Sequence, residues 1–178
     1  MFCVGGCVYL TSMMKISITT ATEADAPAIA ELRTAVAQHL THQFGKGHWS
    51  SGVTEKSVLR GIKTSRVLVA RNNREIIGTF RLQTKKPWAI DLSYFKDASR
   101  PLYLLDMAVT PDRQRRSIGR QLIEEAKAVA QAWPSDAIRL DAYDSDAGAG
   151  PFYAKCGFRE VGRKTYRDVP LVYFELRL

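Results

Sequence analysis

The chain has 178 residues, 46% apolar and 25% charged, the profile of one soluble globular domain and not of a collagen-like, disordered or disulfide-scaffold chain. Lys and Arg number 26 against 18 Asp and Glu, a formal charge of +8. An anionic partner is therefore the first expectation, whether nucleic acid, membrane surface or phosphorylated ligand, and the placement of the charge must decide. Three cysteines, Cys3, Cys7 and Cys156, are an odd count that fits a reducing, cytoplasmic compartment better than a disulfide framework.

The stretch Met1 to Met14 is uncharged, lacks a basic flank and is too short and Gly-rich to span a bilayer. It reads as a disordered leader, residues 1–14, before a single domain, residues 15–178. "KISITTA" alternates as a short strand, and Thr22 with Asp25 forms a capping-box-like start to a helix carrying Ile29, Leu32, Val36 and Leu40 on one face. "THQFGKGHWSSG" is a Gly-rich loop, and Thr54 caps a second helix with Val58, Leu59 and Ile62. "RVLVAR" and "EIIGTFRLQ" then read as a hairpin turning at Asn72-Asn73.

From Thr84 to Pro101 the chain reads as a loop with exposed aromatics. "LYLLDMAV" is a nearly continuous apolar run, as expected of a central strand covered on both faces, and it ends at Thr110-Pro111. The next helix sets Leu122, Ala126, Val129 and Trp133 on one face and stops at Pro134. "AIRLDAY" is a strand, "AGPFYAKCG" a short helix, and "FREVGR" and "LVYFELRL" the last two strands. The order β-α-α-β-β-β-α-β-α-β-β is mixed α/β, with one β-α-β crossover in the middle.

The chemistry concentrates at that crossover, where "TPDRQRRSIGRQL" runs from the central strand into a helix. Helix N-termini expose unpaired N–H groups and the positive end of the dipole, so they bind phosphate without any particular side chain. Ser117 and Gly119 allow close approach, and Arg113, Arg115, Arg116 and Arg120 add four positive charges. A diphosphate site and an ordinary solvated basic helix start both fit this pattern. Neither G-x-G-x-x-G nor G-K-[ST] occurs, so dinucleotide and P-loop fingerprints do not apply.

From residue 15 to its end the chain resembles the GNAT superfamily of acetyl-CoA-dependent N-acetyltransferases. The family's phosphate-loop pattern [R/Q]-x-x-G-x-[G/A] is matched by Gln114, Arg115, Arg116, Ser117, Ile118 and Gly119, with Arg120 following. Ser117 replaces the first glycine; if that position needs φ > 0, the change costs about 1 kcal/mol. A second segment, "DSDAGAGPFYAKCGF", is similar to the family's N-x-x-A-x-x-[LF]-Y-x-K-x-G-F, with Asp146 in the Asn position and Phe152 and Tyr153 at the aromatic pair. The resemblance implies a mixed central sheet of six to seven strands, splayed at the central strand and flanked by about four helices. It also implies acetyl-CoA as co-substrate without a metal, and direct attack by a primary amine of a small molecule or protein in a ternary complex. Tyr153 inherits the role of general acid toward the departing thiolate, its other reading being a core aromatic. Met107, Ala108 and Val109 stand where the family's splayed strand supplies the oxyanion N–H and pairs with pantetheine, and Asp146 and Phe152 fall in the cofactor segment.

For the base, Asp106 is the single charge inside the central strand, where a carboxylate is costly unless paired, protonated or facing a wet cleft. Asp141 alternates with Arg139 and Tyr143 on the next strand, at the strand ends where parallel α/β sheets place ligands. Asp141 and Tyr143, with His48 and Trp49 from the first interhelix loop and Trp88 from the long loop, are the candidates for the acceptor pocket, and Tyr94 stands beside Trp88. His39, His42 and His48 lack acidic or thiol companions in their loop and do not suggest a metal. Competing readings are a basic nucleic-acid-binding domain, which the scattered placement of the remaining basic residues argues against, a catalytically silent acyl-CoA sensor, and the same enzyme using a longer acyl chain. No nucleic acid and no membrane partner is expected; the last strand is a candidate for pairing across a homodimer.

Overall fold

The computed structural model describes residues 16–178. The expected leader, with Cys3 and Cys7, lies outside them. Eleven elements follow in the expected order: β1 (Ile16–Thr20), α1 (Ala26–Phe44), α2 (Glu55–Thr64), β2 (Arg66–Asn72), β3 (Glu75–Gln83), β4 (Pro101–Val109), α3 (Ile118–Ala132), β5 (Ala137–Tyr143), α4 (Gly150–Lys155), β6 (Arg159–Tyr166) and β7 (Val169–Arg177). The seven strands form one sheet in the order β1-β2-β3-β4-β5-β7-β6. The strand pairs are antiparallel except β4 with β5, which the α3 crossover connects in parallel.

Local chemistry accounts for the element boundaries. The Asp25 carboxylate accepts from the Thr22 N–H at 2.8 Å and so stops the donors ahead of α1 from being orphaned. The Thr54 hydroxyl accepts from the Ser57 N–H at 3.3 Å at the start of α2. The first hairpin turns one residue later than expected, at Asn73-Arg74, because Asn72 still pairs with Glu75 and Asn73 is the residue that takes a positive φ of 55°. The β6–β7 hairpin turns through Arg167 and Asp168, at φ 49° and 64°.

The sheet buries both faces. Against one lie α3 and α4, with Leu122, Ile123, Ala126 and Ala130 packed on Leu68, Phe80, Leu102, Ile138 and Phe174. On the other, α1 and α2 cover the first strands through Ile29, Leu32, Val58, Val67 and Val69. The segment expected to be an open loop, 84–100, covers the β5-β7 part of that same face, with Ile90 and Phe95 packed on Tyr103, Leu171 and Tyr173. Trp133 is no part of the α3 core face: it caps the helix, 36% exposed, under the Arg66 guanidinium. β7 is bonded on both sides, to β5 and β6, which removes it as a free edge for pairing across a dimer. Among the described residues no helix is long and apolar enough to cross a membrane.

Two irregularities interrupt the sheet at its centre. β4 and β5 pair only at Pro101–Ala137, Leu102–Ile138 and Tyr103–Arg139, and beyond that point the strands separate. On its other edge β4 carries a bulge: Thr79 pairs with Ala108 and Arg81 with Leu105, so Asp106 and Met107 face Phe80 together, with Asp106 at φ 56°. The splay expected at the central strand is therefore present, and the bulge lies beside it.

Candidate active site

The loop between β4 and α3 enters the helix through two left-handed residues. Arg115 and Ser117 both adopt left-handed φ, 60° and 63°, so Ser117 carries the strain expected of a non-glycine there. α3 makes its first intrahelical bond from the Gln121 N–H to the Ser117 carbonyl at 3.1 Å, which leaves the N–H groups of Ile118, Gly119 and Arg120 ahead of the ladder. The Ile118 side chain is buried in the core, so only its backbone faces the loop. A Cβ on Gly119 would lie 3.1 Å from the Phe152 ring and 3.6 Å from Met107 Cε; Gly119 is what lets α3, α4 and β4 meet at the splay. The Gln114 side-chain amide ties the loop back to the Val109 carbonyl at 3.2 Å. Of the four arginines, Arg113 turns to acids, Asp112 at 3.0 Å and Glu75 at 3.8 Å, whereas Arg115, Arg116 and Arg120 are exposed and bridge to no acid among the described residues.

Tyr153 enters from α4 on this same face, 8% exposed among Phe152, Phe158 and Phe174. Burial chiefly, with the charges of Asp141 and Cys156 adding, pushes its phenol well above the usual tyrosine range. It is protonated at neutral pH, and no hydrogen bond of the described residues engages its hydroxyl. Asp146 is exposed on the β5–α4 connection, where it lines a cleft of about 440 Å3 with Asp144, Glu160 and Arg163.

The opposite face of the splay carries the acids. Alternation along β5 sends Arg139, Asp141 and Tyr143 to the side of α1 and the 84–100 segment, where Asp141 sits across from Tyr173. Burial, reinforced by repulsion from Asp106, raises the Asp141 carboxyl above the usual range. Burial and Asp141 likewise raise the Tyr143 phenol. Trp49 packs edge-to-face on Tyr143 at 5.7 Å and spans from the α1–α2 connection to β5. These two expected acceptor-side positions, 94 residues apart in sequence, are thus brought together. His48 is exposed beside Trp49. Trp88 stands 85% exposed on its loop and packs into no cleft, because Ile90 and Phe95 are the residues that anchor that segment.

Asp106 is engaged at both oxygens. Arg33 Nη2 donates to one at 2.7 Å and Arg81 Nε to the other, a clamp that holds the bulge from α1 and β3 together. Arg33 and Arg81 drew no notice in the sequence, since nothing local links position 33 to position 106. Below the splay, Arg139 pairs with Glu175 at 3.0 Å, both nearly fully buried, while its guanidinium also donates to the Lys96 carbonyl and lies 4.7 Å from the Phe95 ring. That pair pins the 84–100 segment at the last bonded step between β4 and β5.

A family model of the GNAT acetyltransferase domain matches residues 63–160. The fold is similar to that of the Salmonella typhimurium protein yncA, solved with acetyl-CoA, at 18% identity and a TM-score of 0.68 over 92% of this chain and 94% of that one. It is also similar to the PaiA N-acetyltransferase of Thermoplasma acidophilum in complex with coenzyme A, at 16% identity and a TM-score of 0.70 over 93% and 100% of the two chains. The ribosomal-protein-S18-alanine N-acetyltransferase of Escherichia coli aligns at 20% identity and a TM-score of 0.66 over 91% and 93%. No curated protein matches the sequence at a significant level.

Proposed function

We propose that this chain, which belongs to the GNAT acetyltransferase family, moves the acetyl group of acetyl-CoA to a primary amine by direct attack in a ternary complex. One observation carries the reading: the splay joins an anion-ready loop and a protonated tyrosine on one face with a proton-hungry carboxylate on the other. The residues present suit such a co-substrate. The first-turn N–H groups of α3 with Arg115, Arg116 and Arg120 offer a diphosphate both dipole and charge. The unpaired edge of β4 from Met107 to Val109 offers pantetheine amides a strand to join.

Each step has a resident group. An ammonium of pKa about 10 must release a proton before it attacks, and Asp141 is the better base, since its raised carboxyl has more affinity for a proton. Asp106, with both oxygens committed to Arg33 and Arg81, serves as a positioning residue that holds the bulge. Nitrogen attack on the thioester carbonyl makes a tetrahedral oxyanion, for which the bulge-turned N–H groups of Met107 to Val109 are the donors. The C–S bond then breaks, Tyr153 gives its proton to the leaving thiolate, and the second proton of the amide-forming nitrogen passes through solvent to restore the Tyr153 phenol. The acceptor enters from the Trp49 and Tyr143 side, across the splay from the cofactor.

The test is a thermal shift. Acetyl-CoA raises the midpoint of the native protein by mass action. Gly119→Asp removes that shift, because its carboxylate meets the diphosphate while helix N-termini tolerate acids and the Phe152 ring, 3.1 Å from the new Cβ, yields by a few tenths of an ångström. A shift of undiminished size in the variant refutes the loop assignment.

A further inference from the structure

Beside Asp106, between α1, α2 and the β3–β4 strands, lies a pocket of about 220 Å3 that the reading above leaves unused. Its charged lining is three guanidiniums, Arg33, Arg60 and Arg81, against the single carboxylate of Asp106, a surplus of two positive charges. Asp106 takes one N–H from Arg33 and one from Arg81, and a second N–H of Arg81 goes to Gln83. Arg60 is exposed on α2 and has no ionic or hydrogen-bonded side-chain partner among the described residues. The remaining guanidinium donors of these lining residues thus have no protein acceptor among the described residues. Burial pulls the Arg33 guanidinium below its ordinary value; Asp106 offsets this and the nearby Arg81 charge adds to it. Two like charges held on one carboxylate make a place where a second anion is stabilised, and guanidiniums bind carboxylates in bidentate fashion.

The pocket and the reaction site share one residue, the bulged Asp106 of β4. Asp106 lines the pocket, and the charge of Asp106 is felt by Asp141 on β5, at the splay. Its volume equals that of about seven liquid waters, enough for a carboxylate and a short carbon chain and too small for a folded segment. The Asp141 carboxylate at the splay suits an ammonium and the arginines around Asp106 suit an anion, so the two sides of Asp106 have opposite charge requirements.

We infer that the acceptor is a small zwitterion, a primary amine bearing its own carboxylate within a few bonds, whose carboxylate docks on Arg33, Arg60 and Arg81 while its amine is held at the splay. This rests on the acetyl-transfer reading and narrows its substrate class. Hydrogen bonds to charged groups, worth about 1.5–3 kcal/mol each, correspond to a preference of roughly tenfold to a hundredfold in kcat/KM.

The experiment compares the proteinogenic amino acids, each against its decarboxylated amine, with acetyl-CoA as donor and free thiol as readout. The expected result is that at least one amino acid exceeds its amine by about tenfold or more in kcat/KM. Arg60→Ala, chosen because Arg60 stands outside the Asp106 clamp, collapses that ratio mainly through KM, and Arg60→Lys restores part of it. Amines that turn over as well as or better than their amino acids, or a ratio unmoved by Arg60→Ala, overturn the subsite and leave acetyl transfer standing. Absence of thiol release with every primary amine, in a protein whose midpoint acetyl-CoA still raises, overturns the acetyl-transfer reading itself and the subsite with it.

Discussion

Tyr153→Phe separates chemistry from architecture because the two contributions of this side chain are spatially distinct. The ring is in contact with Phe152, Phe158 and Phe174, at centroid distances of 5.3, 5.7 and 6.0 Å, and all three contacts survive the substitution. The hydroxyl holds no partner among the described residues, so its loss costs within about 1 kcal/mol of stability, a midpoint change of no more than about 4 °C. Loss of a general acid lowers the rate by about a hundredfold to ten-thousandfold, equivalent to about 3–5 kcal/mol in the barrier. The assay measures kcat from thiol release, the dissociation constant of acetyl-CoA by calorimetry and the midpoint by thermal melting. The expected pattern is a large fall in kcat with the other two nearly still. Equal kcat in the two proteins refutes the acid role, and a fall in kcat matched by weaker cofactor binding refutes the separation of the two contributions.

Asp141→Asn probes the other face. Because burial raises the folded carboxyl above its unfolded value, the stability this group contributes is present below about pH 4 and is lost as pH rises through the folded pKa. The variant is therefore expected to melt higher than the native protein near pH 7, with the advantage vanishing toward pH 4, while turnover falls about a hundredfold or more. A lower midpoint near neutrality, or unchanged turnover, contradicts this. Arg139→Leu leaves the buried Glu175 with only the half-exposed Arg177, 3.7 Å from Oε1, as a cation, and Glu175 Oε2 already lacks a hydrogen-bond partner. The expected loss is about 3–5 kcal/mol, roughly 6–20 °C in midpoint, and Arg139→Leu with Glu175→Leu recovers most of it. Equal melting of the single and double variants would show that the uncompensated charge is not the cause.

The fold was legible where the signals are local. Alternation in "RVLVAR", the apolar periodicity of α3, and the Gly and Pro stops reproduce every strand and helix in order. Two errors are also local: Asn72 keeps its pairing so that the turn falls on Asn73, and Trp133 caps its helix instead of packing. The left-handed φ at Ser117 was legible only as a condition attached to the family pattern, in which a glycine stands at that position. What was hidden depends on long separations. The clamp on Asp106 joins residues 33, 81 and 106, and the 84–100 segment is ordered by Arg139, which no periodicity marks. Asp141 looked like one of several acids at a strand end, and only its burial beside Asp106 distinguishes it.

The last bonded step between β4 and β5 coincides with Arg139, the residue locked by Glu175 and by the Lys96 carbonyl. A fastener stands where the sheet stops being zipped. The depth of the wedge is consequently a fixed dimension of the molecule: lengthening it would require pulling an ion pair out of the interior. An entering strand-like substrate meets an aperture whose floor is already set, so little of its binding energy goes into prising the sheet open.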